Sequence, residues 1–386
     1  MAKTINPFII TGKISPQYFC GREYESSQLI RLITNGNNVV IISPRRMGKT
    51  GLIQFCYDQP KIRNEYYTFF IDILHTSSLR EFTYFLGKEI YEKLYLHSHK
   101  MAMLFIRTIK SVNSLKVSFN SSNYPVFDIQ LGDIEQPEYT LQEIFQYLAR
   151  IDKPCIIAFN EFQQITKYPE TKIEALLRTH IQQLVHCRFI FAGSEYRSMQ
   201  EIFLSPIRPF YHSTAMLNLR AIPADVYIPF IVEQFKQQNR TITADNAEKV
   251  YTLFQGYTYY IQKTFNESFA YTPEGTECTL EILRAAIDTI ITSNDTIFRE
   301  ILSNIPEKQK ELLYAIAKEG EAGHITSAKF IKRHSLTSAS SVQSAAKKLL
   351  EKNIITEVNR VFSITDKVFA MWINKLCGNN NVSINL

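Results

Sequence analysis

The chain has 386 residues, 45% of them hydrophobic and 21% charged, and its formal net charge is +6. That length allows two or three domains, and the composition is an ordinary globular one. No apolar run approaches the length of a transmembrane helix, and the N-terminus lacks the apolar stretch of a signal peptide, so we expect a cytoplasmic protein without a membrane partner. The positive charge is compatible with nucleic-acid contact but does not establish it.

The six cysteines are scattered, and no Cys-x-x-Cys pair exists. Cys155 and Cys187 lie inside apolar runs, so we interpret them as small buried side chains rather than disulfide or zinc partners. This pattern suits a reducing cytoplasm.

A predicted strand, loop and helix form the strongest functional pattern. The β-branched run Val39 to Ile42 predicts a buried parallel strand, and Gly48-Lys49-Thr50 opens a predicted helix over residues 51–57. Such a loop binds phosphate through backbone N–H groups, with its lysine on the outer phosphates and its hydroxyl on Mg²⁺. The predicted nucleotide contacts are Ser43, Pro44, Arg45, Arg46, Met47, Gly48, Lys49, Thr50 and Gly51, and Thr50 is the predicted Mg²⁺ ligand.

Ser43 stands where the pattern G-x-x-x-x-G-K-[ST] has its first glycine. Serine tolerates unusual backbone angles less well than glycine, so we expect the entry into the loop to differ slightly. The alternative is a chance strand, turn and helix that happens to contain a lysine.

The following segment predicts a second buried strand over residues 65–72 and a helix over residues 79–96. Residues 100–137 are less regular, although residues 115–119 and 126–130 alternate like a hairpin around residues 120–123. A short helix is predicted over residues 140–150, with Thr140 as its N-cap.

The next buried strand ends in Asn160-Glu161. In nucleotide-hydrolysing sites an Asp at the first position holds the Mg²⁺ shell, and the following Glu polarises the attacking water. Asn160 keeps an oxygen acceptor but lacks the negative charge, so binding is predicted more firmly than hydrolysis. We therefore expect Asn160→Asp to raise ATP hydrolysis. The alternative is an acid that merely ends a core strand.

A fourth strand, predicted over residues 188–194, ends at Ser194, where a sensor of the phosphate state is placed in such enzymes. A serine at the end of a strand is also an ordinary turn residue. Glu161, Asn160 and Ser194 are therefore the catalytic candidates. A Pro-rich link over residues 205–213 leads to a fifth strand over residues 214–219.

Amphipathic helices without a catalytic constellation follow. They are predicted over residues 223–239, 243–254, 257–271 and 279–303, with Thr243 at a helix start.

The last eighty residues predict a winged helix. Helices over residues 307–318, 327–334 and 338–352 precede strands over residues 354–357 and 361–364. The third helix should bury Val342, Ala345 and Leu349. Residues 305–378 hold 12 Lys/Arg and 7 Asp/Glu, a net charge of +5.

This charge is expected of a DNA-reading module, with Lys347, Lys348 and Arg360 as the DNA contacts. A winged helix that only packs or binds a protein partner explains the pattern equally well.

With these residues in place, the chain resembles the archaeal-type ATPase family, a branch of the STAND/AAA+ P-loop ATPases found in archaea and Bacteroides-like bacteria. The resemblance covers nearly the whole chain. It rests on Phe19-x-Gly21-Arg22-x-x-Glu25, Pro44-Arg-Arg-x-Gly-Lys-Thr50, the strand from Phe69 to Asp72, Asn160-Glu-Phe-Gln-Gln164, Ala192-Gly-Ser194, Arg208-Pro-Phe-Tyr211, Gly256-x-x-x-Tyr260-x-Gln262 and Ile364-Thr-Asp366 with Trp372.

The resemblance implies an ATP-driven switch with ATP and Mg²⁺ as cofactors, and it places Gly21 and Arg22 near the adenine. The implied α/β fold is a P-loop NTPase (AAA+/ASCE-like) parallel sheet with a helical lid and a C-terminal winged helix. Residues 1–220 would bind nucleotide, residues 221–304 form the lid, residues 305–378 form the winged helix, and residues 379–386 are a flexible tail.

Three departures from the family pattern weaken the case for fast turnover: Ser43, Asn160, and His212-Ser213 where an arginine is usual. Arg208 and Arg197 are the two substitutes for a trans-acting finger, and the sequence does not choose between them.

Three interpretations remain open: an ATP-binding switch with slow hydrolysis, a DNA-binding regulator with structural, unhydrolysed ATP, and a scaffold whose partner performs any catalysis. The expected partners are ATP and ADP, and either double-stranded DNA or a protein. Assembly into a homo-oligomer is left open.

Overall fold

A computed structural model describes residues 6–12, 14–112, 116–119, 125–128 and 131–378. The chain forms two compact units, one of Lys13–Arg220 and one that combines Met1–Gly12 with Ala221–Leu386. The predicted tail at residues 379–386 and the hairpin turn at residues 120–123 lie outside the described residues.

The first unit is built on a parallel sheet with strand order β2-β5-β6-β1-β7. Its strands are β1 (Val39–Ile42), β2 (Tyr67–Asp72), β5 (Cys155–Asn160), β6 (Cys187–Gly193) and β7 (Ala215–Asn218), and β3 (Lys116–Phe119) pairs separately with β4 (Pro125–Asp128). Its helices are α1 (Glu23–Thr34), α2 (Lys49–Asp58), α3 (Pro60–Glu65), α4 (Leu79–His97), α5 (His99–Thr108), α6 (Pro137–Leu148), α7 (Ile173–Gln182) and α8 (Tyr196–Leu204).

Apolar side chains cover both faces of this sheet, which explains why the central strands read as unbroken apolar runs. Leu29, Leu52 and Ile53 from α1 and α2 pack on one face. The other face carries a buried aromatic cluster of Phe159, Phe162, Phe189, Phe191, Phe203 and Phe210. Cys155 and Cys187 lie opposite each other on β5 and β6, both buried and not joined by a disulfide, as predicted.

The second unit is helical and ends in a winged helix. Its helices are α9 (Ala224–Gln237), α10 (Ala244–Leu253), α11 (Thr258–Tyr271), α12 (Leu280–Thr292), α13 (Asp295–Ser303), α14 (Glu307–Glu319), α15 (Ala328–Arg333), α16 (Ala339–Glu351) and α17 (Lys367–Leu376). A small antiparallel sheet of order β8-β10-β9 joins β8 (Ala322–Gly323), β9 (Ile355–Val358) and β10 (Val361–Ile364). None of the helices in the described part of the chain is long and apolar enough to span a bilayer.

Helix starts in the second unit follow the sequence well. The side chains of Thr243, Ser327 and Ser338 accept hydrogen bonds from the first turns of α10, α15 and α16. Asn359 and Arg360 both have positive φ and form the two-residue turn between β9 and β10, as a tight hairpin with the strand twist requires.

Several predicted boundaries were wrong. Thr140 lies inside α6, which begins at Pro137, because proline is favoured at the first helical position, where it has no N–H that would need an acceptor. The helix predicted over residues 279–303 is two helices that break at Ser293-Asn294. Residues 99–108 form α5, and α3, α7, α8 and α17 were not anticipated.

Candidate functional site

Three neighbouring strands bring the predicted site residues to one edge of the sheet. Ile42 at the end of β1 pairs with Gly193 of β6, and Asn160 at the end of β5 pairs with Ala192. Because the strands are parallel, the segments after β1, β5 and β6 all emerge at this edge. The topology therefore places the loop before α2 beside Asn160, Glu161 and Ser194.

The loop between β1 and α2 is shaped by two residues with positive φ, Arg46 (69°) and Gly48 (91°). Gly48 immediately precedes α2 and adopts the left-handed conformation that favours glycine. Ser43 is buried, whereas Pro44, Arg45, Arg46, Thr50 and most of the loop surface are exposed. The exposed loop at a helix N-terminus is suited to a phosphate group.

Lys49 lies inside this loop, only 6% exposed. Its Nζ donates to the carbonyl oxygens of Ser43 (2.8 Å) and Pro44 (3.0 Å). Burial lowers the pKa of Lys49 to about 8, and nearby Glu161 partly opposes that change. The ammonium group thus lies against the loop backbone, where it would be within reach of an anionic ligand bound in the loop.

Arg22 supports the loop from behind. The residue is 3% exposed, its Nη2 donates to the carbonyl oxygen of Met47 (3.1 Å), and its Nη1 pairs with Glu25 Oε1 (2.9 Å). Phe19, three residues earlier, stacks on Phe55 of α2 with ring centroids 3.8 Å apart. The predicted contact residue Arg22 therefore holds the loop backbone with its guanidinium group, and Gly21 beside it has positive φ (66°).

Glu161 is held in a fixed position next to the loop. It has left-handed backbone angles (φ 57°, ψ 43°), a conformation that costs a non-glycine residue about 1 kcal/mol or more. Its Oε2 accepts hydrogen bonds from Gln163 Nε2 (2.7 Å) and Ser194 Oγ (2.5 Å). Arg45 Nε in turn donates to Ser194 Oγ (3.3 Å), which links the loop to the end of β6.

Gly193 permits this arrangement because it has no side chain. A Cβ atom at this position would lie 2.3 Å from Met199 Sδ and 2.7 Å from Gln163 Oε1. Gln163 and Met199 both pack directly on the glycine, so a larger residue would displace the partner of Glu161. The role of Gln163 was missed from the sequence, where it was only part of a motif.

Asn160 is buried (7% exposed), and its Nδ2 donates to Asp72 Oδ2 (3.1 Å) on the adjacent strand β2. No hydrogen-bond partner occupies Asn160 Oδ1 within the described parts of the chain. A buried acceptor without a donor suits a Mg²⁺ shell, and the exposed Thr50 lies at the start of α2. Among the described residues no cluster of three His, Cys, Asp or Glu side chains forms a metal site.

The two arginines considered as fingers differ in their surroundings. Arg208 Nη2 pairs with Glu174 Oε1 (2.9 Å) and lies 3.8 Å from Glu201 Oε1, so this side chain is engaged within its own unit. Arg197 is exposed on α8.

The predicted DNA contacts are all exposed side chains of the winged helix. Lys347 and Lys348 are exposed on α16, while Val342, Ala345 and Leu349 of the same helix are buried, as predicted. Lys348 Nζ pairs with Glu351 Oε2 (2.8 Å), which offsets part of its charge. Arg360 is exposed at the β9–β10 turn.

Comparisons with known proteins agree with this architecture. A family model described as "Probable winged helix domain" matches residues 296–375. A Walker-type ATPase of Pyrococcus abyssi matches 95% of this chain and 99% of its own at 16% identity, with a TM-score of 0.66. The chain has the fold of a P-loop ATPase with a C-terminal winged helix.

Two further structures share this P-loop ATPase fold. The ORC2 protein of Aeropyrum pernix, in ADPNP–ADP complexes, matches 98% of this chain and 97% of its own at 12% identity, with a TM-score of 0.60. The ORC1 protein of the same organism, in complex with DNA, matches 96% of each chain at 11% identity, with a TM-score of 0.51. A search of curated proteins finds no match.

Proposed function

We propose that this chain is a cytoplasmic ATP-binding switch of the AAA+/STAND type with slow hydrolysis, and that its nucleotide state controls the winged helix. The observation that carries the proposal is the buried Lys49, whose ammonium lies against the loop carbonyls and near Glu161, the acceptor for Ser194 Oγ. We include membership of the archaeal-type ATPase family, as a Bacteroides-like member, in the same proposal.

In this proposal the loop residues hold the phosphates through their N–H groups, and Lys49 moves from the loop carbonyls to the outer phosphates. Thr50 and Asn160 would hold Mg²⁺, which neutralises phosphate charge when bound. Glu161 would orient the attacking water after releasing Ser194 or Gln163. The pairing of Glu161 with both side chains supports slow rather than fast turnover.

Lys49→Ala tests the nucleotide site. We expect ATP affinity to fall at least about tenfold, because the variant removes the mobile cation at the outer phosphates. Calorimetry with Mg-ATP measures the affinity, and Lys61→Ala, which removes an exposed lysine of the same unit, is the matched control. Unchanged affinity in a folded Lys49→Ala protein would reject the phosphate-loop assignment.

A second function, binding of double-stranded DNA, is supported by the exposed Lys347, Lys348 and Arg360 and by the +5 charge of residues 305–378. The similarity to the ORC1 protein solved with DNA adds to this proposal.

Phosphate-release measurements at saturating Mg-ATP separate a hydrolysing switch from a DNA-binding regulator with structural ATP. A salt titration of duplex binding separates the DNA-binding regulator from a protein-binding scaffold.

A further inference from the structure

Asp72 provides a carboxylate beside Asn160, which lacks one. Asp72 ends β2 and is the Cα partner of Asn160, which ends β5. Its Oδ2 accepts from Asn160 Nδ2 at 3.1 Å, and its Oδ1 accepts from the backbone N–H of Leu74 at 3.0 Å. A full negative charge therefore lies within hydrogen-bond distance of the neutral amide of Asn160.

This hydrogen bond also fixes the direction of the Asn160 amide. An ionised carboxylate only accepts hydrogen bonds, so the NH₂ group of Asn160 must face Asp72 and the oxygen must face away from it. That oxygen, Oδ1, is buried and without a partner in the described part of the chain, on a residue that is 93% buried. The buried acceptor is thus oriented and left available for a cation shell.

We propose that Asp72 is a positioning residue that supplies, through the Asn160 amide, the negative charge of the Mg²⁺ shell. This inference rests on the proposed nucleotide-binding function and names a residue to which that function assigned no role. Hydrogen bonds to ionised acceptors are stronger than neutral ones and polarise the groups that they join. The Asp72 carboxylate therefore makes Asn160 Oδ1 a better ligand for a cation or its water.

Glu161, the other acid at this edge, does not duplicate the role. Its Oε2 is already the acceptor for Gln163 and Ser194, and its side chain leaves the backbone after the strand has ended. Asp72 and Asn160 instead sit in register on paired strands, so sheet hydrogen bonds hold both of their backbones.

The contact changes the result expected of Asn160→Asp. In the wild-type background this substitution puts a second carboxylate within hydrogen-bond distance of Asp72, and like charges at that separation disfavour each other. A gain is expected only when Asp72 is also replaced by an uncharged residue. Asp72→Asn combined with Asn160→Asp exchanges the two side chains and restores one charge and one hydrogen bond.

The experiment measures ATP affinity by calorimetry in the full chain, once with Mg²⁺ and once with EDTA. The quantity compared is the dissociation constant in EDTA divided by the dissociation constant with Mg²⁺. We expect Asp72→Asn to lower this ratio about tenfold, as for other residues that orient metal ligands, with little change in EDTA. The asparagine keeps an acceptor for the Leu74 N–H, but it removes both the charge and the acceptor for Asn160 Nδ2. The exchanged double variant should recover most of the wild-type ratio. Asn160→Asp alone should not raise the ratio above that of wild type.

Asp152→Asn is the matched control, because it removes an exposed acid of the same unit before the opposite end of β5. The inference is overturned if wild type binds Mg-ATP more tightly than ATP and Asp72→Asn keeps the wild-type ratio. Wild type without ATP affinity in either medium would reject the proposed function, and the inference with it. The two failures are therefore distinguishable.

Discussion

Lys49 keeps its charge inside the phosphate loop by donating to two carbonyl oxygens, those of Ser43 and Pro44. Burial nevertheless lowers its pKa from 10.5 to about 8. The unfolded chain holds this proton up to about pH 10.5, whereas the native state releases it from about pH 8. The free energy of unfolding therefore rises between about pH 8 and 10.5, because a charge no longer has to be buried. Nucleotide binding has the opposite preference, because phosphates attract only the protonated form.

We therefore predict that ATP binding weakens in alkaline solution. Between about pH 7 and pH 9 the protonated fraction of Lys49 falls about tenfold, and ATP affinity should fall up to that factor, with a proton taken up on binding. Calorimetry in EDTA, in buffers of different ionisation enthalpy, measures both quantities. Lys49→Arg keeps its charge over this range and is the control. A pH-independent wild-type affinity would contradict the prediction.

The segment at residues 6–12 belongs to the helical unit although it precedes the phosphate loop in the chain. Phe8 is fully buried, with its ring 5.4 Å from that of Phe235 and 5.5 Å from that of Phe265. Asn6 Nδ2 donates to the carbonyl oxygen of Asn266, and Asn266 Nδ2 donates to the carbonyl oxygen of Phe8. This N-terminal segment is therefore part of the core of the helical unit.

We predict that Phe8→Ala destabilises the helical unit by about 3–5 kcal/mol, since it leaves a cavity between aromatic rings. Chemical denaturation followed by the fluorescence of Trp372, the single tryptophan, reports on this unit. Thr11→Ala, in the exposed part of the same segment, is the control and should leave the midpoint unchanged. Equal midpoints for Phe8→Ala and wild type would show that the segment contributes nothing to this core.

Local pattern predicted the parallel strands of the unit Lys13–Arg220, because buried β-branched and aromatic runs favour strands whatever their neighbours are. It did not predict the contact between Asp72 and Asn160, since that pairing depends on β2 lying beside β5 across a separation of 88 residues. The same holds for Phe8, whose partners begin more than 220 residues later. Long-range packing, rather than local preference, determines these parts of the structure.

Helix α16 carries the charge that the DNA proposal needs. We predict that Lys347→Ala with Lys348→Ala weakens duplex binding and lowers the salt slope by up to about two, one for each lost phosphate contact. Fluorescence anisotropy across a salt series measures both. Lys308→Ala with Lys318→Ala removes the same charge from α14 and is the control. Wild type without duplex binding at low salt would instead favour a winged helix that contacts protein.

The winged helix is joined to the preceding helices by α17. Trp372 Nε1 donates to Asp295 Oδ1 (2.9 Å), Lys375 pairs with Asp288 (2.6 Å), and the backbone N–H of Lys367 donates to Tyr260 Oη (3.1 Å). These contacts tie α17 to α11, α12 and α13 within one unit. The proposed switch would use these contacts to carry a change in α11, α12 and α13 to the winged helix.

The chain passes between its two units twice, at residues 12–13 and 220–221. The first crossing leads to Phe19 and Arg22, which contact α2 and the phosphate loop, and the second follows β7 of the nucleotide sheet. The first connection therefore leads into the segment that contacts the phosphate loop.

We predict that the two ligands are coupled reciprocally. If Mg-ATP changes duplex affinity by some factor, commonly about 5–150-fold, then duplex must change Mg-ATP affinity by the same factor. Anisotropy measures the first factor and calorimetry the second, each with the other ligand absent and saturating. Lys49→Ala should retain nucleotide-free duplex binding and lose the coupling. Duplex affinity that is identical with and without Mg-ATP would reject the switch, because a ligand without differential affinity for two states cannot shift their populations.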